Sequence, residues 1–185
     1  MRVMPFHHFV GVLEIDIFSS NIESPQLIDP AMKSYRGGTE FMPKISYFVY
    51  CSQAVNMKEN GDEEYLVIQG PFASISLKYL PGMFSFSVAF SFLNLKEDKQ
   101  QERDIRLVFR DEKGDKLLDT DTITLPELQA CDDVPAEHRG INLCMDYRNV
   151  LFSHAGVYYT DVYVASEKLG SYPIYVNKKT GEDNV

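Results

Sequence analysis

Few side chains in this sequence have types and spacings that suit chemistry. The histidines are His7, His8, His138 and His154. Neighbours on an extended chain face opposite ways, so His7 and His8 are poorly placed to share one ion. His138 and His154 fall in loops or strand ends with no carboxylate at a set spacing. The cysteines are Cys51, Cys131 and Cys144, an odd number with no CxxC pair, which argues against a disulfide framework and a zinc knuckle. Cys51 and Cys144 sit inside apolar strand patterns, where a free cysteine acts as a small core residue. Cys131 precedes Asp132 and Asp133, whose charge disfavours a reactive thiolate. Ser85, Ser87 and Ser91 have no GxSxG context, and Gly37-Gly38 opens no helix signature that would cradle a phosphate.

Two constellations remain. Asp115, Asp119, Asp121, Asp132 and Asp133 form an acidic group of the kind that holds calcium when oxygens converge from neighbouring loops. Within it, Asp119 and Asp121 are expected on one face of a strand. Charge on a strand also keeps an exposed edge from pairing with other chains, and that is the plainer reading. The second constellation is tyrosine in the last third of the chain, including Tyr158, Tyr159, Tyr163, Tyr172 and Tyr175. Alternation along a strand must expose some of them. Exposed tyrosine gives a large contact area at low entropic cost, so Tyr159, Tyr163 and Tyr175 are the candidate protein-contact residues.

The rest of the composition narrows the function classes. The 185 residues carry a formal net charge of −9, which disfavours phosphate backbones and anionic lipid surfaces. No lysine or arginine run offers a local exception. The sequence therefore expects a protein partner or self-association, with no nucleic acid, no membrane and no cofactor. Free cysteines and a poor signal-peptide pattern at the start point to the cytoplasm.

Positioning falls to strands. The 12 phenylalanines and 11 tyrosines suit a pleated, half-buried surface. The clearest element runs from Met83 to Phe92. Phe84, Phe86, Val88, Phe90 and Phe92 alternate with Met83, Ser85, Ser87, Ala89 and Ser91, which predicts a central strand covered by a facing sheet. Similar alternation predicts strands over 9–18, 44–51, 65–68, 75–77, 105–109, 117–125, 141–147 and a last hairpin from 157–164 to 172–176 across 166–170. Thr124-Leu125-Pro126-Glu127 matches a capping box and predicts one short helical turn near 125–130. The expected architecture is an antiparallel β-sandwich, immunoglobulin-like or C2-like, of eight to nine strands. Residues 1–39 are read as an N-terminal strand and irregular arm, 40–177 as the sandwich, and 178–185 as a flexible tail.

The strand Tyr47-Phe48-Val49-Tyr50-Cys51 and the Gly70-Pro71-Phe72 turn carry a family resemblance. So do Leu80-Pro81-Gly82 before the phenylalanine strand, Gly156-Val157-Tyr158, and Pro173-Ile174-Tyr175-Val176. In these features the segment from Ser46 to Val176 resembles an uncharacterised bacterial and phage-associated β-sandwich family. That resemblance implies a fold and assigns no catalytic residue. The leading expectation is a non-catalytic protein-binding or accessory domain. One alternative is an assembly component whose strand Val12–Ile17 crosses to a neighbouring subunit. Another is a calcium-dependent binder or enzyme built on the Asp115, Asp119 and Asp121 region.

Overall fold

The computed structural model describes residues 15–18, 43–58, 64–93, 104–125 and 140–179, and these are all strand, turn or coil. Eleven strands follow in chain order: β1 (Ile15–Phe18), β2 (Lys44–Lys58), β3 (Glu64–Pro71), β4 (Ser74–Leu77), β5 (Gly82–Leu93), β6 (Asp104–Asp111), β7 (Lys116–Asp119), β8 (Ile123–Thr124), β9 (Gly140–Phe152), β10 (Gly156–Val164) and β11 (Glu167–Lys178). Sheet 1 has the order β1-β9-β5-β2-β3, and sheet 2 the order β4-β11-β10-β6-β7 with β8 also on β6. The two sheets pack face to face as a sandwich, as the alternation predicts.

β5 is the middle strand of sheet 1. Phe86, Val88, Phe90 and Phe92 are buried between the sheets. Phe84 is only half-buried, because the ladder to β9 shifts register between Phe84 and Phe86. Phe86 is the hub of the aromatic core, with ring centroids 5.6 Å from Phe109, 5.1 Å from Tyr147 and 5.9 Å from Tyr50. Phe109 belongs to sheet 2, so this cluster joins the layers. Edge-to-face and offset contacts at these spacings add to the area the rings remove from water.

Several expectations are corrected. The strands number eleven among the described residues, and the sheets are not wholly antiparallel, since β4 runs parallel to β11. The run 117–125 is not one strand. It divides into β7 and β8, which pair with different parts of β6, and Asp121 adopts φ 56° in the break. The Thr120 hydroxyl accepts the Leu107 N–H at 2.9 Å, taking the place of a ladder carbonyl there. The last hairpin turns earlier than 166–170. Val164 pairs with Glu167, and Ala165 and Ser166 alone make the turn, with φ 48° and 71°. Positive φ at both central residues matches a two-residue turn whose twist suits a hairpin. β2 extends to Lys58, well past the predicted Cys51.

The N-terminal strand pairs within its own chain. Ile15 lies opposite Met145 and Phe18 opposite Asn142, so β1 extends sheet 1 beyond β9. The helical turn expected near 125–130 lies outside the described residues beyond Leu125. No helix among the described residues is long and apolar enough to cross a membrane.

Candidate functional site

Sheet 2 turns one face to the core and the other outward. Along β10, Tyr158, Thr160, Val162 and Val164 are buried, while Tyr159 and Tyr163 alternate with them and stay partly open. Along β11, Ile174 and Val176 are buried and Tyr175 is half exposed. The ladders set Tyr159 opposite Arg110 and Pro173, Tyr163 opposite Arg106, and Val157 opposite Tyr175. Side chains directly opposite each other share a face, so Tyr159, Tyr163 and Tyr175 all lie on the outer face of sheet 2. Arg106 and Arg110 lie among them.

One residue holds this face in shape. Asp161 points outward between Tyr159 and Tyr163, yet it is only 3% exposed. Its carboxylate accepts from Arg110 Nε at 2.7 Å, Lys168 Nζ at 2.8 Å and Ser171 Oγ at 2.5 Å. Burial works to raise the pKa of this carboxyl. The bonds from Arg110, Lys168 and Ser171 outweigh that, and the net shift is downward. Arg110 also lies over the Tyr159 ring, with Cζ 4.8 Å from its centroid. The guanidinium is thus fixed from two sides, and the tyrosine with it. Tyrosine and arginine held in place before contact lose little entropy when a partner arrives.

Asp119 lies on the β7 edge of the same sheet. Arg106 Nε donates to its Oδ1 at 2.7 Å, Arg106 Nη2 pairs with Oδ2, and Lys116 Nζ reaches Oδ2 at 3.0 Å. The Arg106 guanidinium holds the Asp119 carboxyl well below the usual carboxylate range. Asp121 is exposed, and its N–H donates to Asp119 Oδ1 at 3.3 Å. Asp119 and Asp121 therefore do not share a strand face, and Asp119 faces cations of its own sheet. Asp115 is exposed at the β6–β7 turn. No three His, Cys, Asp or Glu residues among the described ones are grouped to hold a metal ion. Asp132, Asp133, Cys131, His138, His7 and His8 lie outside the described residues.

A groove of about 380 Å³ opens at one end of the outer face. Arg106, Thr122, Tyr163 and Ser166 line it, between β8 and the β10–β11 turn. At the opposite end, Ser153 Oγ lies 2.9 Å from His154 Nδ1, and His154 Nε2 stands 3.8 Å from Asp111 Oδ2, beyond hydrogen-bond reach. Asp111 is instead committed to its turn, where Oδ1 accepts the Lys113 and Asp115 N–H groups. On sheet 1, Cys51 and Cys144 are buried, as expected, and burial with the nearby Asp146 charge pushes the Cys51 thiol up to about 11. Such a thiol stays protonated and inert at neutral pH.

Sequence reasoning did not find Asp161, Arg110 and Arg106. Period-2 alternation along β6 and β10 is the only signal the sequence carries for them.

The model of a family of unknown function, DUF6941, matches residues 46–177, most of the chain. The chain belongs to this family. No curated protein matches the DUF6941 chain. Among solved structures it is similar to an alkylpurine DNA glycosylase, AlkC, of Pseudomonas fluorescens, bound to DNA containing an abasic site analog. That likeness has a TM-score of 0.38 and 11% identity, and covers 73% of this chain and 30% of the glycosylase. The chain thus spans under a third of that protein's length.

Proposed function

We propose that this DUF6941 domain is a non-catalytic protein-binding or accessory module, and that the outer face of sheet 2 is its contact surface. The observation that carries the reading is Asp161. A carboxylate on an outer sheet face is ordinarily solvated, whereas this one is buried beneath Arg110, Lys168 and Ser171. The result is a fixed Tyr159–Arg110 pair flanked by Tyr163 and Tyr175. These are the residue types that dominate binding energy when a contact desolvates them. The partner is a protein with a face able to stack on tyrosine.

The test is photocrosslinking in the native host. A photoreactive phenylalanine replaces Tyr163 or Tyr175 in one pair of variants and Met83, on the outer face of sheet 1, in another. A discrete adduct from the sheet 2 positions alone supports the reading. It should disappear when Tyr159 and Arg110 are both changed to Ala in a chain that still melts cooperatively. Adducts from Met83 alone, or none from either face, would refute it.

A further inference from the structure

A sheet's outermost strands present unpaired backbone groups, and proteins blunt such edges with charge, proline, irregular backbone or short length. This sandwich does so at nearly every edge among the described residues. β1 and β4 are four residues each. The part of β9 that β1 leaves open carries Asp146 and Arg148 and is bent at Asn149, φ 55°. The part of β11 beyond β4 carries Lys168 and Pro173. β7 and β8 are separated by Asp121 at φ 56° and flanked by Lys116 and Asp119.

β3 carries such devices only at its ends, Glu64 at one and Gly70, φ 55°, with Pro71 at the other. It is eight residues long and closes the other side of sheet 1. From Tyr65 to Gln69 it reads Tyr-Leu-Val-Ile-Gln, all strand-compatible, with no charge, no proline and no positive φ before Gly70. Tyr65 is 41% exposed, and Met57, its partner on β2, is 45% exposed. On its other side β2 pairs with β5 up to Cys51, opposite Ser87. The open edge of β3 faces away from both strands.

The geometry points to a second copy of this chain as the occupant of the β3 edge, paired antiparallel about a two-fold axis through Val67. The sequence complements itself in that register. Val67 meets Val67, Leu66 meets Ile68, Tyr65 meets Gln69, and Glu64 meets Gly70, so no two like charges oppose. A chain of net charge −9 repels its own copies. The uncharged Tyr65–Gln69 strip is where that repulsion is locally least. Five residues a side is an ordinary strand length, and an isologous contact closes on itself rather than growing into a fibre. The two sheet 1 layers would then form one continuous sheet, leaving the outer face of each sheet 2 open.

Sedimentation equilibrium on the full chain tests this through the residue on the axis. Wild type should be a dimer. Val67→Lys and Val67→Glu each place like charges directly opposite one another, and each should weaken self-association about tenfold or more. Mixing the two variants should restore the dimer, because Lys then faces Glu, and that rescue also shows that both variants are folded. A monomeric wild type, a Val67→Lys chain that still dimerises, or a mixture that stays monomeric would each overturn the proposal.

Discussion

Asp119 and Asp161 show how far the surroundings of a carboxylate decide what it does. Asp119 stands 24% exposed beneath Arg106 and Lys116, a geometry that favours the ionised form. Its folded carboxyl titrates below the unfolded one, so the stabilisation is present above the unfolded value, near 4, and disappears as pH falls through the folded value. Asp119→Asn should therefore destabilise the domain at pH 7 by about 1 kcal/mol, a surface-pair magnitude given its partial exposure. The gap to wild type should shrink as unfolding is followed from pH 5 to pH 2. A gap that is constant with pH would mean that the Arg106 pair is not what the carboxylate contributes. Asp161 is more deeply enclosed, and Asp161→Ala leaves Arg110 and Lys168 without their acceptor. The expected loss is about 2 kcal/mol by chemical denaturation, together with greater motion of the Tyr159 ring in NMR relaxation. Neither role was legible in the sequence. Arg110 lies 51 positions from Asp161, and only the β6–β10 ladder brings them together.

The legibility of an element depended on whether its pattern was local. β5 was readable because five large side chains at period 2 fit an extended strand and no helix. β10 and its outward tyrosines followed from the same alternation. The turns between strands were readable only where their residues advertise the backbone they adopt. The β10–β11 turn uses Ala165 and Ser166, neither of which favours positive φ, so the residue types point instead to the polar stretch that ends at Gly170. The division of 117–125 was hidden for a related reason. Thr120 supplies a side-chain acceptor for the Leu107 N–H, a substitution that no periodicity reveals. Both features make predictions. Replacing Ala165-Ser166 by Asn-Gly should stabilise the domain by about 1 kcal/mol, seen as a higher melting temperature, because those residues enter the left-handed region with less strain. An unchanged or lower melting temperature would contradict the turn assignment. Thr120→Val should cost about 1–2 kcal/mol and speed amide exchange at Leu107, since a buried ladder N–H loses its acceptor.

At the scale of the whole molecule, two buried tyrosines sit on opposite sides of one question: what holds the sheets together beyond apolar burial. Tyr50 reaches across from sheet 1, with its hydroxyl 2.8 Å from Thr160 Oγ1 and donating to the Tyr172 carbonyl at 2.7 Å. Tyr147 is buried in the same aromatic cluster, 5.1 Å from Phe86 and 5.9 Å from Phe109, but among the described residues its hydroxyl has no hydrogen-bond partner. Burial pushes both phenols up, Tyr147 without any compensating bond. Apolar contact is equal in kind for the two rings, so removing each hydroxyl separates the polar contribution from packing. Tyr50→Phe strands the Thr160 hydroxyl and the Tyr172 carbonyl at the sheet interface and should destabilise by about 1–2 kcal/mol. Tyr147→Phe removes a group that was taken out of water without a partner, so its effect should be neutral or stabilising, by up to about 1 kcal/mol. The same urea titration reads both. Opposite or clearly separated shifts in the midpoint, at equal m-value, would establish that the layers are joined by a specific bridge through Tyr50. Equal losses in both variants would instead assign the stability to ring packing alone, with the Tyr50–Thr160 contact contributing nothing of its own.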